Sequence, residues 1–154
     1  MTHILIVTAD FYPAITAMLV SGATAALKGK SATYDIVNVP GAFEIPGVIA
    51  MAVASPPLIP PASGGDKGGY DGFIALGCVI RGETTHYDYV CGESARGLME
   101  LSLKHAAIGY GILTVETMQQ AEERADIAQG NKGEDAALAC LRMIELKRQF
   151  DVNS

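Results

Sequence analysis

The residue of this 154-residue chain best suited to moving protons is His86. It sits in the stretch Gly77-Cys78-Val79-Ile80-Arg81-Gly82-Glu83-Thr84-Thr85-His86-Tyr87-Asp88-Tyr89-Val90, where an apolar run passes through a polar turn into a helical pattern. An imidazole is the usual side chain for general acid and base work near neutral pH. The turn before it, with Gly82, Thr84 and Thr85, would present free backbone N–H groups at a new helix start, a natural place for an anion. The plainer alternative is a strand-to-helix turn capped by a threonine. Glu83 opposes an anion there unless its side chain points away and the backbone does the binding.

Four further residues have types that suit a ligand. Arg124 and Lys132 flank Gly130-Asn131, and a guanidinium grips phosphate through two parallel hydrogen bonds; solvated surface charge is the alternative. Phe11 could stack on a planar heterocycle or simply pack in the core. Glu44 follows Gly41-Ala42-Phe43, where it could accept hydrogen bonds from ligand hydroxyls or complement a helix dipole. Cys78 could be imagined as a nucleophile, but a small buried residue of a strand is the better reading. His3 begins a strand, and His105 falls near a helix end, where a structural or dipole-facing role fits better.

The elements that must position these residues alternate along the chain. Ile4-Leu5-Ile6-Val7 is a continuous apolar run of the kind found in a strand covered on both faces. Ala14 to Lys28 carries Ile15, Met18, Leu19, Ala23, Ala26 and Leu27 at helical spacing, closed by Gly29. Tyr34 to Val39 reads as a second strand, Pro40 to Glu44 as a loop and Ile45 to Ala54 as a helix with Pro46 in its first turn. Ser55 to Gly69, rich in proline and glycine, reads as an exposed connector too short to divide the chain. Phe73 to Ile80 is the third strand and the helix after His86 is predicted to reach about Ala107. Tyr110 to Val115 is the fourth strand. Thr117 and Gln120 form a capping box for a short helix, and a last helix from about Asn131 carries Ala137, Leu141 and Ile144 on its buried stripe.

Strands alternating with helices imply a parallel sheet wrapped on both sides. The expected class is α/β, a flavodoxin-like three-layer α/β/α sandwich around a central four-stranded parallel sheet, as one domain over residues 1–154. In such sheets the ligand site lies beyond the carboxyl ends of the strands. There the loops are Ala9 to Pro13, Pro40 to Glu44, Arg81 to His86 and the turn at Glu116.

Composition removes several other functions. The net charge of −6 and the absence of any basic run leave nothing to neutralise nucleic-acid phosphates. The N-terminus lacks the basic start and longer apolar run of a signal peptide, and no apolar run is long enough to span a bilayer, so a cytoplasmic protein with no membrane role is expected. Three widely spaced cysteines, Cys78, Cys91 and Cys140, form neither a disulfide framework nor a metal site. Hydrophobic residues make up 49% of the chain, which points to buried contacts between subunits. There is no Walker loop, and Gly109-Tyr110-Gly111 without a third glycine is too weak for a dinucleotide fingerprint.

Phe11 followed by Ile15-Thr16, the run Val39-Pro40-Gly41-Ala42-Phe43-Glu44-Ile45-Pro46, the run Leu76 to Val90, Glu123-Arg124-Ala125 and Gly130-Asn131-Lys132-Gly133, in that order, resemble the 6,7-dimethyl-8-ribityllumazine synthases over nearly the whole chain. The resemblance implies the penultimate step of riboflavin synthesis: condensation of 5-amino-6-(D-ribitylamino)uracil with 3,4-dihydroxy-2-butanone 4-phosphate, releasing phosphate and water, without cofactor or metal. It implies that Phe11 stacks on the pyrimidine, that Ala42, Phe43 and Glu44 hold the ribityl chain, and that Cys78, Val79 and Ile80 line the ring pocket. Glu83 and Thr84, through backbone and hydroxyl, would meet the phosphate with Arg124, and Lys132 would add positive charge. His86 matches the proton-transfer residue.

The resemblance further implies a homopentamer, with a sixty-subunit capsid as the larger alternative. Tyr110, Arg124 and Lys132 would complete a site whose His86 belongs to the adjacent chain. It also admits riboflavin synthase as a protein partner. Tyr110 stands where the family usually has phenylalanine, and the connector is longer than common. Ala128-Gln129 stand where capsid-forming members often carry glycine and lysine, which favours pentamers. A catalytically silent oligomer of the same fold that binds flavin or lumazine is the alternative function.

Overall fold

The computed structural model describes residues 1–54 and 69–150; apart from Gly69, the connector predicted at 55–69 lies outside the described residues. Four strands form one parallel sheet in the order β2-β1-β3-β4: β1 is His3–Ala9, β2 Thr33–Val39, β3 Gly72–Ile80 and β4 Ile108–Val115. The helices are α1 (Pro13–Gly29), α2 (Ile45–Val53), α3 (His86–Leu103), α4 (Met118–Ala125) and α5 (Lys132–Gln149), with a 3-10 turn at Ala42–Glu44 before α2.

Two apolar clusters separate the layers. Ile4 and Ile6 of β1 and Ile74 and Leu76 of β3 face Ile15 and Leu19 of α1, Ala121 of α4 and Ala137 and Ile144 of α5. Leu5 and Val7, with Phe73 and Ala75, face Ile45 and Ile49 of α2 and Val90 and Leu98 of α3. The period-two alternation of a strand thus sorts successive side chains into opposite layers, giving the three-layer sandwich predicted from sequence. The chain runs outward from β1 to β2 and then returns past β1 to β3 and β4. Right-handed crossovers therefore put α1 on one face and α2 and α3 on the other. The reversal makes a topological switch point between the carboxyl ends of β1 and β3, where such sheets bind ligands.

The β2 edge is less buried than the central strands, with Ile36 46% exposed. Two helix ends differ from the predicted ones. Gly29 is the last residue of α1 rather than its left-handed terminator, a role Ser31 takes at φ 55°. Helix α3 stops at Leu103, not near Ala107: His105 adopts φ 74°, and the Ala106 N–H donates to the Leu101 carbonyl at 3.1 Å. His105 is therefore an exposed turn residue just beyond the helix end.

The last helix docks closely. A Cβ on Gly109 would lie 1.9 Å from the Ala136 carbonyl oxygen, so only glycine lets β4 and α5 approach this far. Beside this contact lies Cys140, fully buried, its thiol 3.6 Å from the Ala107 carbonyl and pushed by burial up to about 12. A thiol held protonated in the fold but free to ionise when unfolded makes stability fall as pH rises from about 9 towards that value. We expect the pH dependence of urea unfolding to flatten between pH 9 and 10.5 in Cys140→Ala. The difference from wild type should approach about 1.4 kcal/mol per pH unit; parallel curves would show that this thiol does not contribute.

Candidate functional site

Parallel strands bring all their carboxyl ends to one edge, so the segments leaving β1, β2, β3 and β4 there are neighbours. The loop after β1 is fixed by Thr16, which is buried on α1 and donates its hydroxyl to the Ala9 carbonyl at 2.9 Å. Phe11 projects from this loop 70% exposed, its ring meeting that of Tyr12 edge-on at 5.0 Å between centroids. A phenylalanine in the core would be covered, so the stacking role remains open to it and core packing does not.

The segment after β2 folds into the Ala42–Glu44 turn, which packs on α3. Ala42 and Ile45 are buried and anchor it, while Phe43, 57% exposed, and Glu44 face outwards. Glu44 precedes α2 without making a capping hydrogen bond.

The turn after β3 carries the densest chemistry. Gly82, Glu83, Thr84, Thr85 and His86 are all exposed. His86 is the first residue of α3, and a threonine does stand at its cap. Thr85 occupies the cap position without a side-chain bond, while the Thr84 hydroxyl accepts from the His86 N–H at 3.4 Å, and the Thr85 carbonyl accepts from Asp88. Glu83 forms no ion pair among the described residues, so it neither neutralises nor is neutralised by a neighbour.

Upstream, Cys78 is buried within the cluster facing α1, α4 and α5, and its thiol is raised to about 11 by burial and then by nearby Cys91. It is a protonated core residue at neutral pH, not a nucleophile, and only its backbone is left to line a pocket. Val79 leans into the opposite cluster and Ile80 is partly buried.

Helix α4 leaves β4 through a capping pair: the Thr117 hydroxyl accepts from Gln120 N–H at 3.2 Å. The Gln120 side chain returns to the N–H of Glu116, one residue before the expected Thr117. Arg124 lies at the far end of α4, exposed, with one guanidinium nitrogen on the Gln120 carbonyl at 3.0 Å and no carboxylate partner among the described residues. A Cβ on Gly130 would come within 2.8 Å of the Arg124 backbone, so this glycine lets the α4–α5 connection fold back over Arg124. Asp126, whose role no sequence motif announces, pins that connection. Its carboxylate accepts from the Ala128 N–H at 2.9 Å and the Gln129 amide at 3.0 Å, which hold it below the usual carboxylate range. Lys132 opens α5 and pairs with Asp135 at 3.0 Å.

The residues named from sequence thus fall into two groups. Phe11, Phe43, Glu44, Glu83, Thr84 and His86 share the carboxyl edge of the sheet. Arg124 and Lys132 belong to helices on the face opposite to α3. Tyr110 lies within β4 in register with Ala75, five positions before Ile80, with its hydroxyl end towards Ser94 and held above the ordinary phenol value by burial. No hydrogen bond or ion pair among the described residues joins the two groups. Cavities of about 450 and 480 Å³ lie away from the carboxyl edge, and one of about 490 Å³ borders it at Thr8, Asp10 and Pro13 around the end of β1 and Asn38 of β2; none of these is lined by His86, Phe43 or Arg124. His3 is also remote from the carboxyl edge. It bridges Thr33 at 2.7 Å and Asp35 at 3.0 Å and stacks on Tyr70. Among the described residues no cluster of side chains could hold a metal ion.

A single chain therefore offers an apolar and polar half-site with a histidine, and, separately, an exposed pair of cations. Comparison with known proteins gives this arrangement a setting. The model of the family described as 6,7-dimethyl-8-ribityllumazine synthase matches residues 1–148. The chain is similar to the 6,7-dimethyl-8-ribityllumazine synthase 1 of Rhizobium meliloti, with 53% identity covering 96% of this chain and 93% of that protein. It is also similar to the 6,7-dimethyl-8-ribityllumazine synthase of Bartonella henselae, with 51% identity over 96% of this chain and 90% of that protein. The Sphingopyxis alaskensis protein of the same name is 46% identical over 99% of each chain.

Proposed function

From the premise that this chain belongs to the 6,7-dimethyl-8-ribityllumazine synthase family, we propose that it condenses 5-amino-6-(D-ribitylamino)uracil with 3,4-dihydroxy-2-butanone 4-phosphate, working as one domain over residues 1–154. The whole-chain family match carries this reading. The exposed His86, Phe11 and Phe43 at the carboxyl edge supply groups of the right kind.

In the proposed site Phe11 stacks on the pyrimidine, and Ala42, Phe43 and Glu44 hold the ribityl chain, with the Glu44 carboxylate accepting from its hydroxyls. The backbone of Cys78 and the side chains of Val79 and Ile80 border the ring. Phosphate is received by backbone N–H groups at Glu83 and Thr84, by the Thr84 hydroxyl and by Arg124, with Lys132 adding charge. The pyrimidine amine attacks the ketone and loses water to give an imine. His86 then moves the protons that accompany loss of inorganic phosphate. Ring closure by the ribitylamino nitrogen expels a second water. The steps are additions of an amine to a carbonyl, proton transfers, and eliminations of water or phosphate, so holding the two substrates in line supplies much of the acceleration.

Because His86 and Arg124 lie on elements separated by the sheet, the site is proposed to form between neighbouring copies, with Tyr110, Arg124 and Lys132 contributed by the second. Exposed apolar side chains support contact between copies: Tyr89, Met99 and Leu103 on α3, and Leu138 and Met143 on α5. The proposed assembly is a homopentamer, with sedimentation separating it from a sixty-subunit shell, and the proposed location is the cytoplasm. No helix among the described residues is long and apolar enough to cross a membrane. Riboflavin synthase, which would consume the product, is the proposed protein partner.

The test is to incubate the purified chain with both substrates and with each alone. Fluorescent lumazine forming only with both is the expected result, and its absence at high protein concentration would overturn the reading.

A further inference from the structure

Arg81 has no part in the site proposed above, yet it has the richest set of contacts of any residue in the β3–α3 turn. Its backbone N–H donates to the Val115 carbonyl at 2.9 Å, extending the β3–β4 ladder by one bond. Its Nε is shared between the two carboxylate oxygens of Glu116, at 3.1 and 2.9 Å. Its Nη1 lies 3.5 Å from the Asp88 carboxylate, and its guanidinium carbon sits 4.3 Å over the Tyr87 ring.

These partners belong to two elements. Glu116 opens the turn into α4, the helix that carries Arg124. Tyr87 and Asp88 directly follow His86 in the first turn of α3. A planar guanidinium can satisfy a carboxylate through one edge and an aromatic ring through its face at once, which an ammonium cannot. We propose that Arg81 is a positioning residue for the reaction: it clamps the first turn of α3 to the turn after β4, and so fixes where His86 stands relative to the bound substrates.

The clamp is solvent-accessible, with side-chain exposures of 41% for Arg81 and 58% for Glu116 and for Asp88, and pairs of this kind add little to global stability. Its worth lies instead in restricting an otherwise exposed turn. A shift of the order of 1 Å in a catalytic group slows the chemical step strongly without a matching loss of ground-state binding. Arg81 need not touch substrate for this, because its charge is already directed at Glu116 and Asp88.

The inference rests on the proposed condensation, so wild type is assayed beside the variants. Failure of wild type to make lumazine would overturn the function itself; a normal wild type beside unaffected variants would overturn only the role of Arg81. Expected for Arg81→Gln is a fall in kcat of roughly 10-fold with KM for both substrates within about two-fold, at an unchanged unfolding midpoint. Glu116→Gln, which breaks the same link from the other side, should lower kcat in the same manner and keeps the test valid should Arg81→Gln fold poorly. Arg81→Lys should recover only part of the loss. The exchange Arg81→Glu with Glu116→Arg should exceed either single charge reversal. An unchanged kcat in both single variants, or a rise in KM confined to the phosphate-bearing substrate, would contradict a positioning role. The latter would make Arg81 a direct phosphate contact.

Discussion

His86→Ala is expected to lower kcat by about 10²–10⁴ while leaving KM for either substrate within a few-fold of wild type. The imidazole is exposed, so its removal opens no buried cavity and the substitution has little to disturb besides proton transfer. Alanine is also a better helix former than histidine at the start of α3. The unfolding midpoint should therefore stay near that of wild type. What survives is the acceleration from holding two substrates together, which does not need the imidazole. Steady-state kinetics on both substrates checks this, and an unchanged kcat would remove His86 from its role.

Arg124→Ala should instead act mainly on binding, raising KM for the phosphate-bearing substrate roughly 10- to 100-fold, as expected for the loss of a charge-assisted pair worth about 1.5–3 kcal/mol. KM for the pyrimidine should move little. The guanidinium can receive a phosphate because its only hydrogen bond among the described residues is to the Gln120 carbonyl of its own helix. An effect confined to the pyrimidine would contradict the assignment. If the site is shared between chains, mixing His86→Ala with Arg124→Ala subunits should restore activity above either alone, to about a quarter of wild type for random association. One site in four then receives both intact residues.

How far the sequence reveals this molecule depends on the range of the interactions concerned. The sandwich is legible because apolar period and turn residues are local: Ile4 to Val7, the stripe from Ile15 to Leu27, and the Gly77 to Val90 block each announce their element within a few residues. The Thr117–Gln120 cap is legible for the same reason, apart from its one-residue shift to Glu116. The end of α3 is not legible, because no glycine marks the left-handed residue and His105 takes that conformation instead. Nor are Arg81 and Glu116, 35 positions apart, readable as a pair, since strand register alone brings their turns together.

For the candidate site, the types of Phe11, Glu44, His86 and Arg124 suggest chemistry, and the parallel sheet explains why the first three share an edge. Cys78 is buried as its place in an apolar strand suggests, while the layer its side chain enters is set by the strand's alternation. The separation of Arg124 and Lys132 from His86 does not follow from local pattern. It depends on which face of the sheet each helix covers, and so on the handedness and direction of every crossover.

Whether this chain joins two substrates with loss of phosphate is decided by following lumazine and inorganic phosphate in one reaction. Both products should rise together in a one-to-one ratio, at a rate proportional to protein concentration and only when both substrates are present. Phosphate release without lumazine, or bound pyrimidine with neither product, would contradict the proposed condensation.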